Sequence, residues 1–248
     1  MQRYFINHSI EDIHLSSNDL HHLLVVLRAK VGDQFEVVDS HQDVYLVCIS
    51  EIINKEAIKV KVLEKYDPLS VELPIHITIA TGLSKNDKLD WIVQKATELG
   101  MNQFQPVALQ RDVVVWKTQK SEDKLHRLNK IAQGACEQSK RLAPPHIQPL
   151  MNLKDLIQHY KDYDVKLVAY EEEAKDHHHF TLKQVIQQIQ PNQSLICLFG
   201  SEGGFDSKEV ELLEQAGYLK CSLGPRILRA ETAPLYLLSA ISYELELK

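Results

Sequence analysis

Between residues 75 and 245, short apolar runs alternate with amphipathic stretches, and this alternation constrains the fold more than any other feature. Residues 75–83, 104–109, 166–170, 195–199 and 219–223 read as strands, each a short, mostly apolar run. Between them, residues 87–99, 121–139, 182–189, 207–216 and 231–245 carry helical spacing. In the first of these helices Leu89, Ile92, Val93, Ala96 and Leu99 share a face, and Gly100 ends it. Ser121 and Ser207 stand where helix caps belong, with Glu209 in the first turn after the second. Strand and helix in alternation predict a mostly parallel sheet covered on both faces.

The first 67 residues follow a different rule. A helix is expected over 16–28, capped by Ser16 or Ser17, with Leu20, Leu23, Leu24 and Leu27 at helical spacing. Residues 34–39, 44–52 and 57–66 are β-rich and separated by polar turns, which predicts a small barrel. Asp67-Pro68 and Pro74 interrupt the chain. Two domains are therefore expected, at 1–70 and 73–248.

Composition narrows the function. In 248 residues, 44% are apolar and 25% charged, which excludes a disordered, collagen-like or disulfide-scaffold chain. The longest clean apolar runs fall far short of the ~20 residues of a membrane helix. No apolar h-region stands in the first twenty residues, so no secretory signal is expected. The cysteines Cys48, Cys136, Cys197 and Cys221 form no CxxC pair and read as reduced thiols of a cytoplasmic protein. The net charge is −6, yet residues 111–141 carry eight basic side chains against four acidic ones. A local basic segment of this kind serves phosphate backbones or simply solvates a helix face.

Three segments carry the chemistry. Gly200-Ser-Glu-Gly-Gly-Phe205 follows a buried strand and holds three of the nine glycines. Glycine there permits left-handed backbone and close approach, and open α/β sheets bind ligands at the carboxyl ends of their strands. It is neither GxGxxG nor a Walker loop. Leu223-Gly-Pro-Arg-Ile-Leu-Arg-Ala-Glu-Thr-Ala233 also joins a strand to a helix, with Glu231 and Thr232 at the helix start as a carboxylate or hydroxyl cap. The two loops are expected side by side at one sheet edge, where they would form a nucleotide-like pocket. Ala132-Gln-Gly-Ala-Cys-Glu-Gln-Ser-Lys-Arg141 places small residues beside a polar helix face. His177–His179 are consecutive and cannot converge on one centre, so no metal site is expected.

The same segments resemble the SPOUT-superfamily 16S ribosomal RNA (uridine-N3) methyltransferases, the RsmE family. The resemblance extends to His22-Leu-Leu-Val-Val-Leu-Arg28 with Gly32-Asp33, and to Trp91-Ile-Val-Gln-Lys-Ala-Thr-Glu-Leu-Gly100, so it covers nearly the whole chain. Ser201 departs where many members have proline, and Ala230 where threonine is common. The resemblance implies a PUA-like RNA-binding β-barrel followed by an α/β methyltransferase domain with a C-terminal trefoil knot. It also implies a homodimer and S-adenosylmethionine in the last loops. Carried over by position, the cofactor site draws on Gly200, Ser201, Glu202, Gly203, Leu223, Gly224, Ile227, Leu228 and Arg229. The loop after 166–170 is expected to supply a third wall.

Methylation of uracil N3 adds its own demands. The imide proton must leave and the developing anion must be stabilised. Arg229 is expected to meet the anion, because a guanidinium stays charged and offers several donors. Glu231 is expected either to act as base or to cap its helix. N3 lies on the pairing edge, so the target base must be unpaired or flipped out. Arg3, Arg28 and Arg141 are expected on RNA phosphates. A SPOUT methyltransferase for another base or for tRNA, and a non-catalytic ribosome-associated RNA binder, are the alternative readings.

Overall fold

The computed structural model describes residues 1–10, 13–53, 57–66, 71–170 and 180–247. By contacts the chain divides into two compact units: residues 1–72 with 136–143, and residues 73–135 with 144–248. His177–His179 and Asp67-Pro68 lie outside the described residues.

In the first unit β1 (Arg3–Phe5) runs parallel to β2 (Gln34–Val38). β3 (Val44–Ile53) joins β2 antiparallel, and β4 (Ala57–Tyr66) joins β3 antiparallel, so the sheet order is β1-β2-β3-β4. Alternate residues of β2 and β3, Phe35, Val37, Tyr45, Val47 and Ile49, face a core completed by Tyr4, Ile6 and Leu23. Register shifts between Leu46 and Val47 and between Ile49 and Glu51 kink β3, as bulges do.

The helix expected over 16–28 is shorter and broken. α1 (Ser17–His21) is capped by the Ser16 hydroxyl, which accepts from Asp19 N–H at 3.1 Å, and then passes into a single π-helical turn, His22–Val26. Arg28 leaves this turn at φ +56°. Of the leucine stripe Leu23 is buried and Leu20 and Leu24 are half-buried, while Leu27 is exposed together with Val25 and Val26. Two adjacent valines are weak helix formers, and the wider turn carries them out of the core.

The second unit is built on a fully parallel sheet. Its elements are β5 (His76–Gly82), α2 (Lys88–Glu98), β6 (Gln103–Ala108), α3 (Thr118–Ser139, of which residues 136–139 count with the first unit), β7 (His146–Ile147), β8 (Met151–Asn152) and α4 (Leu153–His159). β9 (Val165–Ala169), α5 (Phe180–Gln188), β10 (Ser194–Phe199), α6 (Ser207–Gln215), β11 (Leu219–Cys221) and α7 (Ala233–Glu246) follow. The strand order is β11-β9-β10-β5-β6-β7, with β8 also pairing β6. Both faces are covered, which explains the continuous apolar run of β10. Leu195, Cys197 and Phe199 enter one core layer with Ile77, Ile79 and α7's Leu237, Leu238 and Ile241. Ile196 and Leu198 enter the other with Leu213 and Tyr218.

Three expectations need correction here. α4 and the two-residue strands β7 and β8 went unread, because so few residues carry no period. α6 is capped by Asp206 rather than Ser207, in a capping box with Glu209. The two glycine loops do not follow neighbouring strands: β9 lies between β10 and β11, and β10 is central rather than at an edge. Among the described residues no helix is long and apolar enough to cross a membrane.

Candidate active site

A cavity of about 680 Å³ opens over the carboxyl ends of β9, β10 and β11. Its walls come from Ala169 and Tyr170 after β9, from the turn after β10, and from the loop between β11 and α7. All nine residues expected to hold the cofactor line it, from Gly200, Ser201, Glu202 and Gly203 to Leu223, Gly224, Ile227, Leu228 and Arg229. The rest of the third wall, residues 171–179, lies outside the described residues.

The turn after β10 is tight. Gly204 N–H donates to Ser201 O at 3.0 Å, and Gly204 sits at φ +67°, where glycine is favoured. Gly203 packs on the backbone of Arg111, and a Cβ there would overlap the Arg111 carbonyl oxygen. Glu202 is the only acid on the described wall. Its carboxylate accepts from Lys85 N–H at 3.2 Å and meets Lys88 Nζ at 3.0 Å. Burial acts to raise the Glu202 pKa, but its own backbone N–H and Lys88 outweigh this and hold it below the usual carboxylate range. Lys88 is raised in turn, first by its hydrogen bond to Glu202.

The second loop closes on itself before α7. Ser222 Oγ accepts from Gly224 N–H, and Arg229 O accepts from the N–H groups of Thr232 and Ala233. Arg229 is exposed on the cavity wall and Ile227 is 75% exposed. Glu231 neither lines the cavity nor caps α7, whose N-cap is Thr232 without a side-chain bond. Glu231 instead lies 3.3 Å from Lys88 Nζ, in ion-pair range but without hydrogen-bond geometry. The capping role is therefore corrected: α7 starts two residues later than expected and leaves Glu231 outside it.

The arginines expected on RNA divide. Arg28 is exposed and makes no ion pair among the described residues. Arg3 is buried, donates to Glu36 at 2.9 Å, and also donates to the carbonyls of Lys140 and Arg141. Arg141 is 3% exposed, and its guanidinium meets Glu72 at 2.5 and 3.0 Å. Both are turned inward as structural ion pairs of the first unit, which corrects the expectation. A charged residue reads as surface in a sequence, and only a distant carboxylate makes its burial tolerable.

Sequence reasoning missed Lys88, Arg111 and Arg226 on the cavity wall. Arg226 makes no ion pair among the described residues. No local signal marks Lys88, which enters from the start of α2 because β5 lies beside β10.

Comparisons with known proteins bear on this geometry. Residues 71–242 match the model of the RNA methyltransferase domain, and residues 15–63 that of the RNA methyltransferase PUA domain. The ribosomal RNA small subunit methyltransferase E of Bacillus subtilis (strain 168) is 39% identical over 254 aligned positions, spanning 100% of this chain and 98% of that protein. The chain belongs to the ribosomal RNA small subunit methyltransferase E family. A family member from Neisseria gonorrhoeae, solved bound to S-adenosyl methionine, superposes with a TM-score of 0.83 at 27% identity over 98% of this chain and 97% of that one. A putative methyltransferase from Legionella pneumophila, in complex with the same cofactor, gives 0.84 at 26% identity over 97% and 96% of the two chains. This chain thus has a PUA-like first domain and a mixed α/β second domain, and the residues lining the cavity belong to the second.

Proposed function

We propose that this chain transfers a methyl group from S-adenosylmethionine to N3 of a uridine in small-subunit (16S) ribosomal RNA. The observation that carries the reading is the single cavity in which both sequence-singled loops converge. Its volume lies within the range of small-molecule sites. Its glycine turn leaves backbone bare where a side chain would collide, and its wall mixes apolar Phe199, Leu223 and Leu228 with polar groups. These residues fit the cofactor, which supplies an electrophilic methyl group when bound.

The chain's own residues do the rest. Gly200–Gly203 and the 223–229 loop position the donor, and orientation contributes heavily to an in-line displacement. Arg229, exposed at the wall, stabilises the uracil imide anion as it forms. Lys88 keeps Glu202 ionised at the same wall and holds Glu231 beside it. Arg28 contacts RNA phosphate from the first unit, which on this reading is a small RNA-binding barrel spanning residues 1–70. The second domain, 73–248, is read as knotted at its C-terminus and as half of a homodimer, working in the cytoplasm. Supporting the knot, β10 is inserted between β9 and β5, and α7 packs against α2.

The test is incorporation of labelled methyl groups into ribosomal RNA of small subunits from cells lacking this protein. Label on one uridine N3 of 16S RNA is expected. Label on tRNA, on another base or nowhere overturns the reading.

A further inference from the structure

Asp112 follows β6 and belongs to none of the loops discussed so far. Its Oδ2 accepts from Leu109 N–H at 2.9 Å and from Leu83 N–H at 3.1 Å. Those amides leave two different strands, β6 and β5, so one carboxylate oxygen ties two strand ends together. The other oxygen, Oδ1, is buried and makes no hydrogen bond. Ser201 Oγ, at the start of the glycine turn, is also buried and also unpaired.

These orphaned groups share one small space. A Cβ added to Gly82 would lie 2.9 Å from Asp112 Oδ1 and 2.7 Å from Ser201 N. Only a bare backbone at Gly82 lets the turn after β10 come down beside the carboxylate. Burial raises the Asp112 pKa, while the Leu109 N–H and the nearby Ser201 hydroxyl act in the opposite sense. In the rotamers seen, the hydroxyl stops short of hydrogen-bond geometry. Two buried, unpaired and complementary groups this close are an unfinished contact, since buried polar atoms are ordinarily satisfied.

We propose that Asp112 is the positioning residue of the cofactor turn: when the turn closes on its ligand, Ser201 Oγ–H donates to Asp112 Oδ1, and one carboxylate then ties the ends of β5, β6 and β10. This rests on the reading of the turn as part of an S-adenosylmethionine site. Nothing is transferred in the step; a hydroxyl rotates, and the turn loses the freedom to open. Because the turn contributes Ser201, Glu202 and Gly203 to the wall, its closure acts on cofactor affinity. Asp112 itself is absent from the wall and need not touch the ligand.

The experiment is calorimetric titration of S-adenosylmethionine into the wild-type chain, Ser201→Ala, Asp112→Asn and the double variant, with melting curves of each free protein. Ser201→Ala is expected to weaken binding three- to tenfold while melting like wild type. Asp112→Asn is expected to weaken it at least as much, and the double variant no further than Asp112→Asn alone. In steady-state assays Asp112→Asn raises the cofactor KM severalfold and leaves kcat within twofold; a merely loosened fold would lower kcat with the active fraction. Unchanged affinity in Ser201→Ala, or effects that multiply in the double variant, would overturn the proposal. If Asp112→Asn does not fold, Ser201→Ala decides alone. A wild-type chain that binds no cofactor overturns the reading beneath it, and the two failures are thereby distinguished.

Discussion

Lys88 Nζ and Glu202 Oε1 lie 3.0 Å apart and join the start of α2 to the glycine turn after β10. The same ammonium reaches Glu231 at 3.3 Å, in the loop before α7. Three segments far apart in sequence are thus held by one cation against two carboxylates. Without Lys88 the two acids would face each other across the edge of the cavity. Lys88→Met is expected to weaken cofactor binding about tenfold, in line with a charge-assisted contact that is partly solvated. Lys88→Arg should keep most of the affinity. Calorimetric titration of the two variants checks this.

Glu202 also makes a pH prediction. Its folded pKa is depressed, so the stabilisation it brings is fully present above the ordinary glutamate range and is lost as pH falls through the lower folded value. The melting temperatures of wild type and Glu202→Gln should differ by a constant amount near neutrality. The gap should close only below the ordinary glutamate range. A gap that closes between pH 6 and 8 would point to another group.

Gly203→Val should reduce cofactor affinity by about two orders of magnitude or more. A branched side chain there meets the Arg111 backbone and must push the turn into the cavity. Circular dichroism should show a folded protein and calorimetry little or no binding.

Arg229→Ala should lower the single-turnover rate by about 10²–10³ while cofactor affinity changes little. The guanidinium gains a partner only as the uracil anion forms, and such interactions act on the rate constant. Lysine should rescue only in part. Rapid-quench assays at saturating RNA separate this from a phosphate contact, which would leave the chemical step normal.

The arginines divide into two kinds of variant. Arg141→Ala leaves Glu72 without its buried partner and should cost about 3 kcal/mol, read from denaturant midpoints. Arg28→Ala should leave stability unchanged and flatten the salt dependence of RNA binding by about one unit of slope. An unchanged slope would remove Arg28 from the RNA surface.

Much of the second unit was legible because its cause is local. The β10 run is apolar throughout since both faces of its strand are covered, and Leu89, Ile92, Val93 and Ala96 are spaced for one helix face whatever they pack against. The glycine turn was legible for the same reason: left-handed backbone and close approach demand glycine at the position itself. The helix over 16–28 misled because its leucine period was real, while the following valines and Arg28 ended it through a π turn.

Strand periods and the turn after β10 were determined by the sequence alone, since each depends on neighbours within a few residues, and the family resemblance likewise, since it rests on residue identities in short segments along the chain. Strand order was not. That β9 separates β10 from β11, and that β5 brings Lys88 to Glu202, follows from how the strands assemble. The same holds for the burial of Arg3 and Arg141, which depends on Glu36 and Glu72 arriving from other elements. Charge and hydrogen-bond partners act across space over a few ångströms, so only the tertiary structure decided which acid met which base and which carboxylate oxygen was left without a partner.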